Sequence, residues 1–281
     1  MKIILQSFLD SVTFREEDFS DGGGVHMQIE GQDSDFAPRV ENPAGRSPIL
    51  LVCEHASPRI PPEFDTLGLS AGELERHIAW DPGALETARR MSRVLDAPLV
   101  YSTVSRLVYD CNRPPDAADA MPERSEDTPV PGNRSLSDVE KRDRVARFYR
   151  PFEARVAMAL DRPEVSMLVT VHSFTPVYKG QTRAVEIGIL HDVDARLADA
   201  VLQVAAGYNV QRNAPYGPAD GVTHTLRRHA LPRRLLNVML EVRNDLIATS
   251  EDCAEMAETL VDWLTRARAL CAVAKPEEAQ G

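Results

Sequence analysis

Cysteine is scarce in this 281-residue chain: Cys53, Cys111, Cys253 and Cys271 lie far apart, and no C-x-x-C pair occurs. That spacing argues against a disulfide framework and a thiolate zinc cluster, and it suits a reducing cytoplasm. Long apolar runs are also missing. None approaches the ~20 residues that a membrane span requires, and the opening MKIILQSFLDSVTFREEDF breaks its short apolar stretch with early acids, so neither an export leader nor a membrane partner is expected. Basic charge is in deficit, with 32 Lys+Arg against 43 Asp+Glu and a net charge of −11. Such a balance opposes broad attraction to phosphate backbones, so nucleic acid is not an expected partner. Aromatic residues make up only 6% of the chain, yet 43% of it is hydrophobic, which is ample for a packed core.

The charge is unevenly spread. Residues 1–45 carry a net −6, contain Gly22-Gly23-Gly24 and show little apolar periodicity, so they read as an acidic, flexible arm. From Arg46 to residue 275 short apolar runs alternate with helical-period segments, which indicates a single α/β domain around a largely buried sheet; 276–281 form a tail. The strand-sized runs are 49–53, 98–101, 107–109, 167–171, 187–190 and 237–240. Helices are expected over 84–95, after Asp81-Pro82, and from the Ser137-x-x-Glu140 capping signature toward Leu160. The same period marks 194–206 and 250–271, while the proline- and acid-rich 114–132 reads as a long loop.

Three apolar runs end in ionisable side chains: Cys53-Glu54-His55, Val171-His172-Ser173 and Leu240-Glu241-Val242-Arg243. Ligands collect at the carboxyl ends of strands in open α/β sheets, so these endings are expected to meet in one pocket. A further predicted strand, Arg106 to Arg113, places Asp110 and Asn112 on one face. Two imidazoles and a carboxylate form the protein part of many catalytic zinc sites. His55 and His172 are the candidate nitrogens. Asp81 is the preferred carboxylate and Glu54 the alternative, because adjacent strand residues point to opposite faces; Asp81 reads equally well as a helix N-cap. Glu241 suits the proton-transfer task of amide hydrolysis, against a competing reading as a structural partner of Arg243 or Arg113. Arg106, Asn112, Arg113 and Arg243 are candidate binders of a small anionic amide substrate. A loop carrying Tyr216 and His224 is a candidate cover.

Cys53-Glu54-His55-Ala56-Ser57, Asp81-Pro82-Gly83-Ala84, Ser105-Arg106-Leu107-Val108-Tyr109-Asp110-Cys111-Asn112-Arg113-Pro114, Val171-His172-Ser173-Phe174-Thr175-Pro176 and Glu241-Val242-Arg243 resemble, in order and spacing, the N-formylglutamate amidohydrolase family. The resemblance implies a three-layer α/β sandwich with a mixed, largely parallel sheet, similar to zinc carboxypeptidase and aminoacylase folds. It further implies one Zn2+ per chain and hydrolysis of N-formyl-L-glutamate to formate and glutamate in histidine catabolism. Carried over residue by residue, it makes His55 and His172 zinc ligands, Glu241 the general base, and Arg106, Asn112 and Arg113 substrate binders. Two positions depart from related patterns. Pro58 stands where a His-x-x-Glu ligand pair would have its acid, and Glu54 replaces the usual Pro before the first His, as in a divergent, amidohydrolase-like branch. The alternatives are hydrolysis of a different N-acyl or peptide-like amide, and a metal-free protein that binds an acidic metabolite.

Overall fold

The central strand Met167–Phe174 is buried along its whole length, as a continuous apolar run covered on both faces requires. The computed structural model describes residues 35–273. Most of the expected arm and all of the 276–281 tail therefore lie outside the described residues.

In chain order the strands are β1 (Arg39–Glu41), β2 (Ile49–Cys53), β3 (Leu99–Tyr101), β4 (Arg124–Ser125), β5 (Thr128–Pro129), β6 (Met167–Phe174), β7 (Val177–Tyr178), β8 (Gln181–Thr182), β9 (Ile187–Leu190), β10 (Val210–Arg212) and β11 (Leu236–Arg243). Seven of them form one mixed sheet in the order β1-β3-β2-β6-β11-β9-β10. The four central strands β3, β2, β6 and β11 run parallel, β1 and β9 are antiparallel to their inner neighbours, and β10 is parallel to β9. β1 falls inside the stretch read as an arm, so the sheet starts before residue 46. β4–β5 and β7–β8 are separate two-stranded hairpins.

The helices are α1 (Ala71–Leu74), α2 (Ala84–Leu95), α3 (Asp138–Arg144), α4 (Arg150–Leu160), α5 (Arg196–Val204) and α6 (Ser250–Val273). Strand alternation assigns them to two layers. Ile49, Leu51 and Cys53 of β2, with Val169 and Val171 of β6 and Val238 and Leu240 of β11, pack against α2, α5 and α6. Leu50 and Val52, with Leu168 and Met239, face α4 and the loops on the other side. The molecule is thus a three-layer α/β sandwich. α3 starts on the expected capping box, in which the Ser137 side chain accepts from Glu140 N and the Glu140 side chain accepts from Ser137 N. The predicted continuous helix is interrupted by a π-helical turn, Val145–Tyr149, just before Pro151, which has no N–H to complete a regular turn.

One expected strand does not form. Residues 105–113 make tight turns, with Val108 N and Tyr109 N donating to Ser105 O at 2.9 and 3.3 Å and Arg113 N to Asp110 O at 2.9 Å. Leu107, Val108 and Tyr109 are fully buried, and a short buried turn carries the same apolar signal as a buried strand. The proposed alternation of Asp110 and Asn112 on a strand face therefore does not apply. All four cysteines are free. No helix among the described residues is long and apolar enough to cross a membrane.

Candidate active site

The second layer's strand face ends in charge. Counting by two from Leu50 and Val52 reaches Glu54 at the end of β2. The same step from Leu168 reaches His172 in β6, and from Met239 it reaches Glu241 in β11. These are three adjacent parallel strands, and His172 is the register partner of Glu241. His55 lies two residues beyond β2, and its carbonyl accepts from Asp81 N at 2.9 Å, which ties the Asp81 loop to the same strand end.

Asp81 does not cap α2. Gly83 takes that place with φ +80°, and a Cβ there would lie 2.4 Å from Ile247 O, so only glycine fits the turn. The freed carboxylate turns inward. Asp81 Oδ2 accepts from Ser173 N at 3.2 Å and lies 2.9 Å from His172 Nδ1 and 3.3 Å from His55 Nδ1. The two Nδ1 atoms are themselves 3.2 Å apart, and all three side chains are buried.

The outer ring nitrogens face carboxylates too. His55 Nε2 lies 2.7 Å from Asp110 Oδ1, and His172 Nε2 lies 3.0 Å from Glu54 Oε2. An ionised carboxylate only accepts, so His55 Nε2 carries a proton toward Asp110, while His172 Nε2 and Glu54 Oε2 are close without an aligned hydrogen bond. With a metal bound, both Nδ1 atoms would present their lone pairs to it. Two imidazole nitrogens and a carboxylate oxygen converging in a buried space suit a cation. His55 Nδ1, Asp81 Oδ2 and His172 Nδ1 thus fit a three-ligand zinc site, with carboxylates behind both imidazoles. Glu54 is thereby placed behind His172, outside the converging set.

Electrostatics follow the same pattern. Burial opposes ionisation of Asp81 and Asp110, yet His55 and, for Asp110, Arg106 outweigh it and hold both carboxyls well below the usual range. Burial likewise opposes charge on His172, but Glu54 and Asp81 raise it well above the ordinary histidine value, so a metal entering the site would displace a proton from this ring. Arg106 spans the site's edge, donating to Asp81 Oδ1 at 3.4 Å and Asp110 Oδ2 at 3.1 Å.

A cavity of about 350 Å3 opens onto these groups, lined among others by His55, Asp81, Arg106, His172, Tyr216 and Glu241. Glu241 is buried, and its Oε2 has no hydrogen-bond partner among the described residues. Burial pushes its carboxyl up to about 7. It forms no ion pair with Arg243 or Arg113 among the described residues, so the pairing offered as the structural alternative does not form.

The arginines separate. Asn112 and Arg113 line the cavity, but their polar groups hold the 220–225 segment: Asn112 Nδ2 donates to Val222 O and its Oδ1 accepts from Thr225 N, while Arg113 donates to Gly221 O, Asp220 O and Asp119. Arg243 is not brought into the lining. Asp245 and Glu186 hold its guanidinium, and it donates to Arg183 O at 3.2 Å. His224 also turns away from the cavity, to Tyr149 Oη at 2.8 Å. Asp110 is the partner the sequence left unassigned; its neighbour Arg106 carried the signal. His77 also lines the cavity, with Nδ1 3.5 Å from Asp81 Oδ1, and burial lowers it to about 4.

Comparison with known proteins then decides the family. The profile of N-formylglutamate amidohydrolase matches residues 47–248. The chain belongs to the N-formylglutamate amidohydrolase family. The chain is 52% identical to a gene product of Agrobacterium tumefaciens whose crystal structure superposes with a TM-score of 0.82, covering 86% of this chain and 97% of that one. The crystal structure of N-formylglutamate amidohydrolase from Ralstonia eutropha shares the fold at 20% identity and a TM-score of 0.60, covering 85% and 99%. No curated protein matches the sequence.

Proposed function

We propose that this family member is a zinc-dependent amidohydrolase that removes the N-formyl, or another small N-acyl, group from an acidic amino acid such as N-formyl-L-glutamate, releasing formate and glutamate. The observation that carries this reading is the convergence of His55 Nδ1, Asp81 Oδ2 and His172 Nδ1 in the cavity that Glu241 also lines. Those three atoms would hold a zinc ion, which when bound would supply a Lewis acid for the acyl oxygen and an acidified water with a pKa toward ~7.

The remaining chemistry belongs to the chain. Glu241, ionised, takes a proton from the attacking water at its unpartnered carboxylate and returns it to the leaving nitrogen as the C–N bond breaks. Its raised pKa suits both transfers, since a base near the working pH gives the proton back readily. Arg106 pairs with Asp81 and Asp110 and orients both carboxylates, and its guanidinium borders the ligand set. Asn112 and Arg113 shape the cavity by fixing the 220–225 wall.

The test is hydrolysis by the zinc-loaded chain of a panel of N-formyl, N-acetyl and N-succinyl amino acids, read as released acid and amine. N-formyl-L-glutamate turnover that a chelator abolishes and zinc restores is the expected result. Absence of turnover across the whole panel overturns the proposal.

A further inference from the structure

Arg106, Arg113 and Arg243 are each paired with carboxylates, whereas Arg183, close to the same cavity, pairs with none among the described residues. Arg183 follows the β7–β8 hairpin and closes it by donating its N–H to Pro176 O at 2.8 Å. Its guanidinium is half-buried against three rings, Tyr178, Tyr216 and Phe174, at 4.5, 4.9 and 5.4 Å from their centroids. It donates to Tyr216 Oη at 3.0 Å and Thr175 O at 3.3 Å. A cation partly stripped of water and held in one plane, yet given no anion, points to an anion supplied from outside.

Tyr216 connects this cation to the cavity, which it lines with Tyr178. Because its oxygen accepts from Arg183, its own O–H is turned away from the guanidinium and is left as a donor. The loop that carries it is pinned. A Cβ on Gly188 would lie 2.0 Å from Ala214 O, and Asn213 N donates to Ile189 O at 3.0 Å, so the chain crosses β9 in close contact. Gly188 is the register partner of Glu241, which places this crossing beside the proposed base. Arg243, expected from sequence to touch substrate, instead holds the Arg183 carbonyl.

We infer that Tyr216 binds a carboxylate of the substrate amino acid through its hydroxyl, and that Arg183 is the positioning residue that orients this hydroxyl and supplies the countercharge behind it. The inference rests on the amidohydrolase reading for its substrate and adds which groups select an acidic one. The α-carboxylate and the side-chain carboxylate share this chemistry, and the experiment separates them.

The full chain, zinc-loaded, is titrated calorimetrically with L-glutamate and assayed with N-formyl-L-glutamate, N-formyl-L-glutamine and the α-amide of N-formyl-L-glutamate. Tyr216→Phe keeps the ring and loses the hydroxyl; Arg183→Gln loses the charge; Arg183→Lys restores charge without the planar fork. Tyr216→Phe and Arg183→Gln are expected to weaken L-glutamate binding about tenfold to a hundredfold, with KM for N-formyl-L-glutamate rising more than kcat falls, and Arg183→Lys to recover part of the loss. Preference over one of the two amides collapses in the same variants and identifies the carboxylate. Wild-type affinity and KM in both Tyr216→Phe and Arg183→Gln, or a wild-type chain that binds no L-glutamate, overturn the inference. A chain that binds L-glutamate through these residues but hydrolyses no N-acyl amino acid upholds it and removes the amidohydrolase reading instead.

Discussion

Glu54 Oε2 sits 3.0 Å from His172 Nε2, on the far side of the ring from the Nδ1 that faces Asp81. Asp110 stands in the same relation to His55. Each imidazole is thus backed by a buried carboxylate, hydrogen-bonded to the ring at Asp110 and in close contact with it at Glu54. Glu54→Gln is expected to retain zinc stoichiometry while weakening affinity about 10- to 100-fold, measured by competition with a chromophoric chelator. Complete loss of zinc would make Glu54 a ligand, and unchanged affinity would remove its orienting role.

Glu241 has a different task, and its substitution has a different signature. Glu241→Gln preserves shape and should leave zinc bound, while kcat for N-formyl-L-glutamate falls about 10²- to 10⁴-fold. Turnover at the parent rate in a folded, zinc-loaded variant would contradict the assignment.

The acid side of the pH profile carries the same information. Burial raises the Glu241 carboxyl from its ordinary value to about 7, and a general base works only when ionised. A bound cation nearby favours the ionised form and moves the limb downward from that value. As pH falls, kcat/KM should therefore decline with a limb no higher than about 7. A profile that rises on acidification through this window would contradict the role.

Gly188 tests the wall of the cavity. With Ala214 O only 2.0 Å from an added Cβ, Gly188→Ala must displace the loop that carries Tyr216 or strain β9. A destabilisation of about 1–3 kcal/mol is expected from such overpacking, read by urea unfolding, together with a higher KM. Unchanged stability and KM would show that the crossing yields freely.

Much of this was legible in the sequence because periodicity and chemistry agreed. The apolar runs of β2, β6 and β11 fixed three strand ends, and His55, His172 and Glu241 stood there as abrupt polar breaks. Legibility failed where one pattern served two structures. Residues 105–113 are apolar enough for a strand yet are turned by Ser105 and Asp110 contacts, which depend on partners such as Ala79 and Ala120 far along the chain. Asp81-Pro82 looks like a helix start, but the left-handed Gly83 takes the capping position and frees the carboxylate. Arg243 shares the Glu-x-Arg ending with Glu241, and only the placement of Asp245 and Glu186 shows that its charge is already taken. Arg183 was invisible for the opposite reason: its meaning lies in the lack, among the described residues, of a carboxylate beside it.

The convergence of His55, Asp81 and His172 is tested most directly by equilibrium dialysis of the chelator-stripped chain against zinc, followed by elemental analysis. About one zinc per chain is expected for the parent protein, with none retained at the same free concentration by Asp81→Ala or by a His55→Ala/His172→Ala double variant that remains folded. Equal zinc content in the parent and in these variants would contradict the account.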